Sequence, residues 1–317
     1  MSAPVQSDVL PSEGPVSVSA QGSPNTMLRM RAVGRWEVRP APVAVLSVVL
    51  AALALAGPAS AAPPDPLLPL ARSIAREHPA MWTQASVARG THVVVIGAPS
   101  ALVREITALA EQAGRTVAAV WGRPADAVIL VPATGEQAAE LVAPARVEGF
   151  AAFAGADRVV IDPAGFARLT PTGRQVVLTH ELTHVATDAA GDPGMPAWLR
   201  EGFADYVGYL HSGLPVATVA AELSRDMRAG AAPARLPPDA DFQAGSTRLP
   251  QAYEEAWLAC RYIAQRFGER RLVAFYREAG RTGVPRALRS TLGMTVPGLT
   301  DAWLEYVTRL LTPAAAS

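Results

Sequence analysis

The chain has 317 residues, half of them hydrophobic, and its 28 basic and 28 acidic side chains cancel to a net charge of zero. That length and composition allow a sizeable core in one or two domains, and the balanced charge excludes a global field aimed at nucleic acid or an anionic membrane surface. The single cysteine, Cys260, excludes an intrachain disulfide and any multi-cysteine zinc knuckle.

All the basic residues are arginine. With so much Ala, Pro and Gly, this reads as coding bias and not as function. Residues 1–38 form a leader, aperiodic and rich in Ser, Pro and Gly at first, then positively charged through Arg29, Arg31 and Arg35. Residues 39–61 follow as the apolar and cleavage regions of a secretory signal. Val43 opens a 14-residue uncharged run, and Ala59-Ser60-Ala61 has the small-residue pattern of a cleavage site. A start at Met27 or Met30 would set the basic residues at the beginning of that signal. The run is short for a bilayer span, which needs about 20 apolar residues. The expected location is therefore secreted or extracytoplasmic. An uncleaved segment over 41–57 is the one route to a membrane.

The mature chain, 62–317, reads as a single domain in two parts. In the sheet part, 62–169, residues 67–88 look partly helical. The β-branched run 91–97 ends in glycine and predicts a strand. Residues 100–122 have helical spacing behind Ser100 as a cap signal. Residues 126–133 predict a second strand, 134–142 a short helix, and 148–155 with 157–163 a hairpin. In the helical part, 170–317, every strong segment reads as helix: 171–190, 196–211, 215–229, 250–267, 269–279, 285–292 and 299–311. Strands early and helices late make an α+β fold, with a small mixed sheet followed by a mostly helical part. The Pro-rich stretch 231–249 is an exposed connector with no assigned role. Cys260, on a helical stretch, is expected in the core.

Thr170 and Pro171 supply the cap and first-turn signals of one helix. Leu178, Leu182, Val185 and Ala189 give it a core face. His180 and His184, at i and i+4, stand one turn apart on a neighbouring face, near enough to share an ion. Glu181 projects beside them. This His-Glu-x-x-His pattern suits a zinc site in which a metal lowers the pKa of a water and the glutamate takes its proton, as against an ordinary solvated helix face or a site that has lost its metal. A third ligand is needed. Gly191 and Pro193 stop the helix and a second begins at Pro196, with Leu199, Phe203, Tyr206, Val207 and Leu210 as its apolar face. On another face Glu201 can point back at the histidines as the third ligand, or can be a surface carboxylate. Asp205, one turn on, can accept the free ring N–H of a ligand histidine or can be a plain helix charge.

At these residues a family resemblance emerges. His180-Glu181-Leu182-Thr183-His184 resembles the metal helix of the gluzincin metallopeptidases. Pro196-Ala197-Trp198-Leu199-Arg200-Glu201-Gly202-Phe203-Ala204 is similar to the P-x-W-L-x-E-G-x-A segment of the peptidase MA-like bacterial proteins, relatives of the aminopeptidase N and thermolysin groups. The resemblance implies that His180, His184 and Glu201 bind Zn²⁺ and that Glu181 is the general base. It covers about 147–209. Sixteen residues separate His184 from Glu201, somewhat fewer than in either named group. The G-x-M-E-N-type motif of aminopeptidase N is absent, so aminopeptidase activity is not implied. The resemblance also implies an edge strand that holds a peptide backbone, for which residues 150–161 are the candidate, as against ordinary sheet. It further implies an oxyanion donor, with Tyr253 the candidate and Tyr262 its rival. Trp198 is expected to pack. His78, His92 and His211 have no partner spacing.

The reading is an exported zinc metallopeptidase acting on a peptide or protein, with no nucleic-acid partner. Two alternatives stand beside it: a catalytically inactive zincin-fold binding protein, and a hydrolase of a non-peptide substrate on the same scaffold.

Overall fold

The computed structural model describes residues 67–143, 150–189 and 194–312. The expected leader and signal, 1–61, lie outside the described residues, as do Gly191 and Pro193 of the expected helix stop.

The strand β2 (Val93–Gly97) and the strand β3 (Ala127–Val131) are aliphatic and buried along their whole length. Such continuous runs suit strands covered on both faces, and these are parallel to one another. The crossover between them is the helix α2 (Ser100–Trp121). β5 (Arg158–Ile161) extends the parallel set. β1 (Ser86–Arg89) and β4 (Ala152–Ala154) close the two edges antiparallel, in the order β1-β2-β3-β5-β4. Alternate side chains sort onto opposite faces. Val93, Val95, Ile129, Val159 and Ile161 join the main core with α2 and the later helices. Val94, Ile96, Val128, Leu130 and Val160 pack with the helices α1 (Leu67–Glu77) and α3 (Gly135–Val142). Each fully buried aliphatic side chain contributes about 1.5–3 kcal/mol relative to exposure.

The short helix α4 (Pro163–Ala167) leads into α5 (Pro171–Thr187), which packs on α2, β4 and α6 (Ala197–Tyr209). The chain continues through α7 (Val216–Val219), α8 (Ala221–Arg228), α9 (Leu249–Phe267), α10 (Glu269–Thr282), α11 (Val284–Ala287), a π-helical turn (Leu288–Leu292) and α12 (Val296–Leu311). The fold is α+β, with the small mixed sheet first and the helices after it, as the element pattern predicts. Among the described residues no helix is long and apolar enough to cross a membrane.

Four local expectations are corrected. Residues 86–89 are a strand, not the tail of a helical segment, because pairing with β2 satisfies their backbone. Ser100 is the first residue of α2, and its side chain does not cap it. The expected helix 215–229 is two helices that break at Ala220 (φ −102°, ψ 50°). The break is stabilised from outside: the Glu254 carboxylate accepts the amides of Glu222 and Leu223 at 3.2 and 2.6 Å, capping α8 from α9. Leu210, expected on an apolar face, is 37% exposed, because α6 ends one residue before it.

Candidate metal centre

α5 starts as the sequence predicts. Thr170 Oγ1 accepts the amide of Gly173 at 3.1 Å, and Pro171 sits in the first turn. Asp188, left-handed at φ 55°, ends it and returns its amide to the carbonyls of His184 and Val185. The expected core face, Leu178, Leu182, Val185 and Ala189, is buried. So are most other positions, because α5 lies between α2, the sheet edge and α6. Its polar residues are made compatible with burial locally. Thr179, Thr183 and Thr187 each donate to the carbonyl four residues back, at 2.7, 2.7 and 2.9 Å.

α6 has no side-chain cap of its own. Its first amide, at Ala197, donates to Asp239 Oδ1 at 2.8 Å, a cap supplied from the Pro-rich stretch 231–249. That stretch contains a 3₁₀ turn (Asp239–Phe242), so it is more than an exposed connector. Gly202 lets α6 lie against α9: a Cβ there would stand 2.3 Å from the Ala256 carbonyl oxygen. Trp198 packs, with its ring 6.4 Å from that of Phe275.

These helices bring together the residues the sequence singled out. His184 Nε2 is 2.9 Å from His180 Nε2 and 3.2 Å from Glu201 Oε2, and His180 Nε2 is 3.4 Å from the same oxygen. The three side chains form a group able to hold one metal ion. On the far side of its ring, His180 Nδ1 donates to Asp205 Oδ1 at 2.8 Å. With the imidazole neutral, that hydrogen bond would fix the tautomer and leave the Nε2 lone pair free for an ion. Arg200 Nε donates to Glu201 Oε1 at 3.0 Å.

The donor set fits zinc on two counts. Tetrahedral zinc with bonds of about 2.0–2.2 Å sets its donors about 3.3–3.6 Å apart; the two imidazole–carboxylate distances, 3.2 and 3.4 Å, are close to this, and the imidazole pair at 2.9 Å would open by about 0.4 Å. Charge balance points the same way. Glu181, Glu201 and Asp205 are buried carboxylic acids, and the Arg200 guanidinium pairs with Glu201 alone. In the form that ligates a metal, with both imidazoles neutral and the three carboxylates ionised, the cluster would carry two negative charges beyond Arg200, which a divalent cation would neutralise.

The electrostatics reflect that crowding. Burial lifts the Glu181 carboxyl above its usual pKa, against the pull of both imidazoles and a hydrogen bond from the Ala154 backbone. Burial also raises Asp205, with His180 opposing. Glu201 goes the other way. Burial works to raise it, but His184 and hydrogen bonds from both imidazoles hold it well below the carboxylate range. Burial disfavours charge on His180, yet Asp205, Glu201 and Glu181 outweigh that and lift its pKa well above the usual value.

Tyr253, on the first turns of α9, lies beside the group, its ring centroid 6.4 Å from that of His180. Tyr262 packs on Tyr306 at 5.4 Å, and the structure does not bring it to the site. The hairpin expected at 148–163 is present as β4 and β5, and β4 is a terminal strand against α5. Cys260 is fully buried, while His78 and His92 pair with Glu140 and Asp126. Sequence reading missed Arg200, Asp239 and Phe242, whose ring meets Tyr253 edge-on at 5.3 Å. Arg200 was visible only as a charge beside Glu201. Asp239 and Phe242 are brought in by a loop path that no periodicity encodes.

No family model matches the chain, and no curated protein does. Among solved structures, it aligns with a point mutant of a two-domain M1 zinc metallopeptidase bound to L-arginine, at 16% identity and a TM-score of 0.40, over 73% of this chain and 52% of that one. It also aligns with a mutant M1 zinc metallopeptidase from Deinococcus radiodurans, at 15% identity and a TM-score of 0.39, over 74% of this chain and 53% of that one. The chain therefore spans about half the length of these neighbours.

Proposed function

We propose that the chain is a zinc-dependent peptidase of gluzincin type that hydrolyses peptide bonds outside the cytoplasm. One observation carries the reading: His180 Nε2, His184 Nε2 and Glu201 Oε2 converge within zinc-ligand spacing, with the buried Glu181 on the same helix. His180, His184 and Glu201 would hold the ion, and Asp205 would keep His180 in the ligating tautomer. When bound, zinc supplies a Lewis acid that polarises a carbonyl and lowers the pKa of water.

The remaining chemistry falls to the chain. Glu181 accepts a proton from the attacking water on its carboxylate and delivers it to the departing amine nitrogen. The Ala154 backbone beside that carboxylate favours its ionised form. β4 offers its outer main-chain groups to an extended peptide by strand addition. The Tyr253 hydroxyl donates a hydrogen bond to the oxygen on which negative charge develops. Export is proposed on the apolar run that opens at Val43 and on Ala59-Ser60-Ala61.

The test is cleavage of a mixed peptide library by the zinc-loaded chain beside Glu181→Gln. Products from the wild type alone support the peptidase. Zinc in both proteins with products from neither would favour an inactive binding protein or a non-peptide substrate. N-terminal sequencing of the chain from an extracytoplasmic fraction tests export, with cleavage after Ala61 expected.

A further inference from the structure

The two oxygens of Glu201 have different partners. Oε2 faces both imidazoles, while Oε1 accepts the hydrogen bond from Arg200. Adjacent residues on a helix point about 100° apart and do not ordinarily face each other. The contact therefore requires the Arg200 side chain to turn toward its neighbour. A second tie is longer, Nη1 to the Met195 carbonyl at 3.5 Å. Glu201 is 9% exposed, so an unpartnered Oε1 would be a buried charge-bearing atom with little access to water. The nearest way to satisfy it would be to swing toward an ion held by Oε2 and the two imidazoles. A carboxylate binding through both oxygens would occupy the position that a substrate oxygen or a water needs.

We propose that Arg200 is a positioning residue: by engaging Oε1 it makes Glu201 a one-oxygen ligand and keeps a coordination position open. This rests on the metal-centre reading. It adds to that reading a role for the residue preceding the third ligand. The hydrogen bond uses Nε, so a lysine ammonium can replace part of it, whereas an apolar stem of similar length cannot.

The experiment compares zinc affinity by chelator competition, and the visible spectrum of the cobalt-loaded chain, for wild type, Arg200→Met and Arg200→Lys, with melting of each apo protein as the control for folding. The methionine variant is expected to bind zinc about 10–100-fold more weakly. Its cobalt absorption should lose intensity, as a higher coordination number requires. The lysine variant should recover most of both. X-ray absorption of the zinc-loaded wild type needs no variant and should show one carboxylate oxygen at bonding distance. Wild-type affinity and spectrum in Arg200→Met, no recovery in Arg200→Lys, or two-oxygen binding in the wild type would each overturn the role while leaving the metal centre intact. A folded wild type that binds no zinc would overturn both together.

Discussion

The sheet and the α5–α6 pair are built on opposite terms. β2 and β3 contribute ten buried positions without one polar side chain. α5 and α6 bury Thr179, His180, Glu181, Thr183, Glu201 and Asp205, six of the nine buried polar or charged side chains among the described residues. The sheet needs only aliphatic volume on both faces. The helix pair must hold charges out of water, so His180, Glu201 and Asp205 are paired with one another or with Arg200. The sheet thus supplies stability, and the helix pair spends some of it on a cluster short of positive charge. Substitutions in the two regions should therefore separate stability from metal binding and turnover.

The largest effect is expected from Glu181→Gln. It should cut peptide hydrolysis by about 10²–10⁴-fold while zinc per chain stays at the wild-type level. Because it removes a carboxylate that burial disfavours, its apo form should melt no lower than wild type. Lower zinc content in this variant would show Glu181 acting as a ligand.

Leu130→Ala tests the other region. Leu130 is fully buried, and its truncation should cost about 2–5 kcal/mol in chemical denaturation, with unchanged zinc affinity in the fraction that folds. A matching loss of affinity would tie the site to the far face of the sheet.

Asp205→Asn should invert that pattern. Stability should change little, and competition titration should show zinc bound about 10–100-fold more weakly, because the His180 tautomer is no longer fixed. A smaller contrast comes from two glycines. Gly202→Ala drives a methyl into the Ala256 carbonyl and should cost about 1–3 kcal/mol. Gly114→Ala, on α2 with nothing within 4 Å, should gain about 0.5–1 kcal/mol. Equal effects by thermal melting would mean that α6 and α9 do not approach as described.

The last effect concerns pH. Burial pushes the Glu255 carboxyl up to about 7 from an ordinary 4.5, although Arg248 Nη2 lies 2.7 Å away and opposes the shift. The folded chain then holds an extra proton between those values. This contribution to stability is full below pH 4.5 and is lost as pH rises through about 7. Glu255→Gln should flatten that part of the stability profile measured in urea. An unchanged profile would show that Glu255 keeps an ordinary pKa.

Much of this was legible in the sequence because it is local. Val93–Gly97 and Ala127–Val131 announce themselves by composition. The i and i+4 spacing of His180 and His184 is a property of any helix, and Thr170-Pro171 marks where that helix begins. Glu201 could be assigned because a short connection limits where the second helix can go. What remained hidden depends on distant chain segments. Strand β1 exists through its pairing with β2. The break at Ala220 is made by Glu254, and the α6 cap comes from Asp239. Arg200 was hidden differently: helical geometry puts adjacent residues on different faces, so spacing alone gives no reason to pair it with Glu201.

The most direct measurement is the metal content of the purified chain, wild type beside His184→Ala, each after passage over a chelator and reloading with zinc. One zinc per wild-type chain, lost in the variant while both remain folded by circular dichroism, is the predicted result. A folded wild type that retains no zinc would contradict the metal centre, and His180, His184 and Glu201 would then be a buried polar cluster held by their mutual hydrogen bonds.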